Sequence, residues 1–230
     1  MGLNSRGGNS SKTFLSVFDS SLVLQYDNRE DLEKKLDAIG LEHDAIKVRQ
    51  KTKGKNEGKD VYYFKLHDVS GMLTDVILKD TDWGEVLELE ITDVDEKYQV
   101  SLGEVFGRIP RDFIRRVANI DVETELTFGV WGMVSKDNGK PYSGVVMYQN
   151  EEKLPYVLER DDLPEATSKT RGKVTKWDFS AQEDFLYEKL GEFLAENFAG
   201  EAKDGDESKP EPRKARGKKL EDMPDDDMPF

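Results

Sequence analysis

"GMLTDVILKDTDWGEVLELEITDVDEKYQVSLG" (residues 71–103) decides how the chain is read. Three runs, GMLTDVILKD (71–80), GEVLELEIT (84–92) and KYQVSLG (97–103), are rich in aliphatic residues and separated by turn formers, the pattern of consecutive strands. In LELE (87–90) carboxylates alternate with leucines, which predicts one buried and one solvated strand face.

Working outward, PRDFIRRVANI (110–120) reads as a short helix opened by Pro110, with Phe113, Ile114 and Val117 on one face. Two further strands follow, TELTFGVWGMV (124–134) and YSGVVMY (142–148), joined by SKDNGKP with the hairpin signal Asn138-Gly139. Three strands, a helix and two strands is the order of the OB-fold, a five-stranded Greek-key barrel, and one that other small β-rich domains share.

Upstream, TFLSVFDSSLVLQY (13–26) predicts a hairpin around Asp19-Ser20-Ser21. NREDLEKKLDAIG (28–40) predicts a helix capped by Asn28, stopped by Gly40, with Leu32, Leu36 and Ile39 inward. Downstream, KLPYVL (153–158) is a candidate extra strand and residues 159–178 read as loop. SAQEDFLYEKLGEFLAENF (180–198) is a helix with a Ser180/Glu183 capping box. Its stripe of Leu186, Leu190, Phe193 and Phe198 docks on the barrel or, alternatively, dimerises. The expected organisation is a disordered N-terminus (1–11), an elaborated mainly β OB-fold domain (12–199), a disordered linker (200–220) and an acidic tip (221–230).

The 230 residues carry a formal charge of −14 and no cysteine. Disulfides and thiolate metal sites are therefore excluded, and a reducing cytoplasm is expected. No apolar run reaches membrane-spanning length, and Arg6 argues against myristoylation of Gly2. Residues 201–230 hold 10 acidic and 7 basic side chains, so most of the negative charge lies in the body. Binding to an anionic polymer then requires a locally basic surface.

KVRQKTKGK (47–55) supplies one: Lys47, Arg49, Lys51, Lys53 and Lys55 occupy alternate positions and share one strand face. A hairpin that sets Lys53 opposite Lys59 places Arg49 against Tyr63 and Lys47 against Lys65, with His67 continuing the face. Ile46, Val48, Tyr62, Phe64 and Leu66 then turn to the core. The competing reading is a solvated edge strand whose lysines deter aggregation. On the last two strands Leu126, Phe128, Val130, Val145 and Met147 alternate as core, leaving Trp131, Tyr142 and Tyr148 on the opposite face, near Lys136 and Lys140. Exposed rings stack bases without regard to sequence. Arg108, Arg111, Arg115 and Arg116 are read equally well as a solvated helix face, and Trp83 and Trp177, in turns, receive no role.

Enzyme signals are poor. His43 and His67 are the only histidines, and HExxH, Walker A and GxSxG motifs are absent. Asp93 and Asp95 faintly resemble a nuclease metal site, but a turn explains them better. No catalytic residue, cofactor or metal is expected.

DDDMPF (225–230) resembles the C-terminal signature of bacterial single-stranded DNA-binding proteins, with Met228 where isoleucine is usual. The resemblance implies that Phe230 enters an apolar pocket on a replication or repair protein. Its carboxylate would meet a basic rim, Asp225, Asp226 and Asp227 would extend the contact, and Pro229 would limit the entropy lost. The tip would also compete weakly with DNA for the basic groove. In pattern, residues 70–102 followed by FIRRVANID resemble the bacteriophage members of that group. The expectation is therefore a non-enzymatic, sequence-independent binder of single-stranded DNA in the bacterial host cytoplasm. It would protect strands during replication, recombination and repair and recruit partner proteins through its tip, with homo-oligomerisation open. The alternative is an acidic adaptor or DNA mimic that occupies a host repair factor.

Overall fold

The computed structural model describes residues 12–52, 57–82, 84–94, 96–136, 139–171 and 174–198, the side chains of Arg171 and Val174 excepted. The predicted N-terminal, linker and tip segments lie outside the described residues, as do Lys53, Lys55, Trp83, Asp95 and Asn138.

The fold is mainly β. The N-terminal hairpin forms as expected: β1 (Lys12–Phe18) and β2 (Ser21–Tyr26) meet at Asp19 and Ser20, whose φ values of 49° and 53° suit a tight turn. Helix α1 (Arg29–Ala38) is capped by Asn28, whose side chain accepts from the Asp31 N–H at 2.7 Å; Gly40 follows it at φ 71°. Leu32 and Leu36 are buried. Then come β3 (Lys47–Gln50), β4 (Asp60–Leu66), β5 (Asp68–Thr81), β6 (Gly84–Thr92) and β7 (Lys97–Glu104). Helix α2 (Arg108–Ile114) precedes β8 (Leu126–Val134), β9 (Pro141–Gln149) and the two-residue β10 (Glu152–Lys153).

These ten strands form one sheet in the order β10-β9-β8-β5-β6-β7-β1-β2-β4-β3. Every pairing is antiparallel except β1 with β7. The long β5 serves two neighbours: Asp68–Gly71 pairs with β8, and Met72–Thr81 pairs with β6. The change of partner falls at Gly71, where φ is 152° and a Cβ would lie 2.6 Å from the Thr92 carbonyl oxygen. A bulge follows between Leu73 and Asp75. The core collects Leu73, Val76, Leu87, Leu89, Ile91, Val100, Phe113, Leu126, Phe128, Val145 and Met147, with the Phe113 and Phe128 rings 6.3 Å apart and edge-on.

Several expectations are corrected. The β3–β4 register is displaced by two residues, pairing Lys47 with Tyr63 and Arg49 with Val61. A two-residue slip preserves the faces, and Ile46, Tyr62, Phe64 and Leu66 pack on the core; Val48, on an edge strand, is instead exposed. KLPYVL extends no strand beyond Lys153: the Val157 and Leu158 N–H groups donate to the Arg115 carbonyl, and the Tyr156 hydroxyl donates to Asp112. Residues 159–178 are not wholly loop but contain a second sheet, β11 (Thr167–Arg171) with β12 (Val174–Asp178). Helix α3 (Ser180–Asn197) lacks the capping box, because the Ser180 hydroxyl donates to Asp178 and Glu183 pairs with Arg111. Its buried Leu186, Leu190 and Phe193 dock on the domain as expected.

The LELE face is also not solvated. Glu88 and Glu90 are each only 8% exposed. Glu90 is held by Lys12 and Lys97, and Gln99 donates to Glu88. Burial is the largest single influence on Glu90 and pushes its pKa up; the hydrogen bonds and charges of Lys12 and Lys97 together outweigh it and hold the carboxyl below its ordinary 4.5. A depressed folded-state pKa contributes stability above the unfolded value, and that contribution is lost as pH falls through the folded one. Denaturant titrations at stepped pH should therefore show the parent losing its advantage over Glu90→Gln as pH falls from neutral through the carboxylate range. A constant difference would contradict the pairing.

Candidate nucleic-acid interface

Two surfaces gather the residues singled out from the sequence. The first is the outer face of β1, β2, β4 and β3. Alternation places Lys47, Arg49, Tyr63 and Lys65 together there, with Val23 and Val61 as a buried floor. Arg49 does not stand free in a cationic row. Its guanidinium lies 3.9 Å from the centre of the Phe18 ring and donates to Gln25 Oε1 at 2.9 Å. Its Nε is buried without a partner among the described residues. Tyr63 meets Phe18 edge-on at 5.6 Å. Lys65 pairs with Asp19 at 2.5 Å and Lys51 with Asp27 at 2.8 Å. The Lys65 hydrogen bond and charge hold the Asp19 carboxyl below the usual range, with a smaller pull from the exposed Lys47. The alternating row thus exists in part, but Asp27, after β2, already engages Lys51 of the row, and Asp19 of the β1–β2 hairpin engages Lys65 of β4.

Phe18 is the residue here that charge periodicity missed. The signal was present in TFLSVFD: with Leu15 and Val17 inward, alternation turns Phe14 and Phe18 to the other face.

The second surface is the outer face of β8 and β9. The register pairs Trp131 with Gly144, Met133 with Tyr142 and Thr127 with Tyr148, so Trp131, Tyr142 and Tyr148 share a face as anticipated, and Met133 joins them. Trp131 and Tyr148 are each 38% exposed, and Met133 56%. Trp131 and Tyr142 are diagonal neighbours; Tyr148 lies four residues from the position opposite Trp131, on the side away from Tyr142, about 13 Å at strand rise. The indole has room because position 144 is glycine: a Cβ there would come within 3.0 Å of Trp131 Nε1 and 2.6 Å of Asp112 Oδ2. Trp131 Nε1 donates to the Val145 carbonyl at 3.3 Å, which fixes the plane of the ring. The buried Asp112 of α2 accepts from the Val145 N–H at 2.7 Å and so holds β9 in place.

Lys136 and Lys140 are exposed in the β8–β9 loop. Arg108 adds a cation: its guanidinium is 5.7 Å from the Tyr142 ring centre and donates to the Pro141 carbonyl at 2.6 Å. The other arginines of α2 and the turn after it are not a solvated face. Arg116 is buried, 3.7 Å from the Tyr156 ring centre, and donates to the Leu154 carbonyl; Arg115 donates to the Leu158 carbonyl; Arg111 pairs with Glu183. The two surfaces approach at the β1–β2 turn, where a Cβ on Gly132 would collide with Ser20.

Among the described residues, no cluster of three or more His, Asp or Glu side chains could hold a metal ion, and no helix is long and apolar enough to cross a membrane. Comparison of the chain with protein-family models, with curated proteins and with solved structures finds no match.

The crowding at position 144 is testable. Gly144→Ala should displace the indole or Asp112, altering the tryptophan bands in near-UV circular dichroism and lowering stability by about 1–3 kcal/mol, as overpacking does. A spectrum and melting curve like the parent's would contradict the placement of Trp131.

Proposed function

We propose that this chain binds single-stranded DNA without sequence preference and does no chemistry on it. The observation that carries the reading is the shared face of the exposed Trp131 and Met133 and the half-buried Tyr142 on a strand pair whose loop bears Lys136 and Lys140, with Arg108 beside it. Rings stack successive bases and cations track the phosphates, the combination used by sequence-tolerant single-strand binders. The Arg49–Phe18–Tyr63 cluster supplies a second ring-and-cation surface, and Lys47 and Lys51 extend it.

We read β5, β6, β7, β8 and β9 as an elaborated OB-fold. The pairings β7-β6-β5-β8-β9 and the position of α2 between β7 and β8 support this, since the OB-fold is a partly open Greek-key barrel. The edge of β7 is taken by the parallel β1. Membership of the bacteriophage group of single-strand binders, and action in a bacterial cytoplasm during replication, recombination and repair, rest on the sequence resemblance. So does recruitment of partner proteins by Asp225–Phe230.

The acidic-adaptor reading draws on the net charge of −14 and on the engagement of Lys51 and Lys65 by Asp27 and Asp19. The two readings separate on oligo-dT. Trp131→Ala should weaken equilibrium binding about 5- to 150-fold, the roughly 1–3 kcal/mol of one stacked base. Asp19→Asn frees Lys65 and should strengthen it by up to about fivefold, the range of an exposed ion pair. Filter-binding titrations at low salt measure both. Binding unchanged by Trp131→Ala removes the stacking site; no binding by the parent leaves the adaptor.

A further inference from the structure

We infer that the β11–β12 ribbon is a second single-strand-contacting arm, with Lys169 and Lys176 gripping phosphates and Trp177 offering a stacking face. The inference rests on the single-strand-binding reading above and extends it to an element that the sequence pattern alone left as loop.

The ribbon is a sheet of its own, apart from the ten-stranded one. Its register sets Lys169 directly opposite Lys176 and Ser168 opposite Trp177. Directly opposed residues share a face with Cβ atoms about 4.5–5.5 Å apart, and like charges placed so are destabilising. Neither lysine forms an ion pair among the described residues, and both are exposed. The one ribbon carboxylate on this face, Asp178, accepts from the Ser180 N–H at 3.0 Å and the Ser180 hydroxyl at 2.7 Å. Residues 167–178 contain Lys169, Arg171, Lys173 and Lys176 against Asp178 alone, a positive island on a chain of −14. Asp178, which feels the charge of Lys169, is a single carboxylate set against two opposed ammonium groups, so the face keeps a net positive charge that an external anion can meet.

The other face carries the second observation. Trp177 is 46% exposed, beside the small Ser168 and a Thr170–Thr175 hydroxyl pair at 3.1 Å. None of the ribbon's described side chains is buried. Isolated two-stranded ribbons are marginal, and tryptophan is on average highly buried, so an indole nearly half exposed here leaves a ring face open to a ligand. Cations on one face and a ring on the other, with short polar side chains between, suit a strand that offers both phosphates and bases. An acidic peptide would use only the first face.

The arm is tied to the aromatic surface. β12 runs through Phe179 into α3, Gln182 donates to the Pro164 carbonyl at 2.8 Å, and Glu183 pairs with Arg111 of α2 at 2.5 Å. The same α2 carries the Arg108 that meets Tyr142.

The test uses the full chain, labelled oligo-dT and a salt series, with Lys169→Gln/Lys176→Gln and Trp177→Ala beside the parent and melting curves to confirm folding. Losing two phosphate contacts on a single strand should reduce the slope of log Kobs against log salt by about 1.4. Trp177→Ala should weaken binding at least about fivefold. A parent that binds while the double variant keeps its slope and Trp177→Ala its affinity overturns the arm and leaves the β8–β9 reading standing. A slope that falls while Trp177→Ala binds like the parent overturns the stacking half. A parent that does not bind overturns both.

Discussion

The double pairing of β5 is the constraint from which the rest follows. One 14-residue strand gives its first four residues to β8 and the remainder to β6, and it can do so because Gly71 accepts a φ of 152° against the Thr92 carbonyl. The bend brings β8 and β9, which are distant in sequence from β6 and β7, into the same sheet. It also turns Phe128 toward Phe113 in the core and leaves the alternate residues, Trp131 and Met133, outward. The aromatic surface is thus a by-product of core alternation on β8, with Gly144 and Asp112 fixing where the indole lies.

Much of this was legible in the sequence because it rests on local period. Leu126, Phe128, Val130, Val145 and Met147 alternate cleanly, so the outward direction of Trp131, Tyr142 and Tyr148 followed from the strands alone. Asn28 and Gly40 marked the ends of α1 for equally local reasons. The failures lie where distant groups meet. Glu88 and Glu90 look solvated in LELE, and their burial depends on Lys12, Lys97 and Gln99 arriving from β1 and β7. Arg116 looks like a surface charge until Tyr156 covers it. The β3–β4 register was missed by two residues, a slip that alternation is blind to. The β11–β12 ribbon has a weak strand pattern, TSKTR and VTKWD, with no apolar face to betray it.

Charge is the main physical tension in the molecule. A body of net negative charge repels a polyanion at long range, so the proposed binding would have to come from short-range surfaces where rings and cations coincide. Three such places recur: Arg49 over Phe18, Arg108 near Tyr142, and the lysine pair of the ribbon behind Trp177. Where carboxylates already neutralise lysines, as Asp19 does Lys65, a phosphate bound as proposed would have to displace them, and its affinity would then depend on salt.

The most direct measurement is fluorescence anisotropy of labelled oligo-dT with the intact chain and with one lacking residues 221–230, at low and moderate salt. The account predicts binding by both forms at low salt, falling steeply as salt rises, with the shortened chain at least as tight as the intact one. Absence of binding by either form at low salt would contradict it.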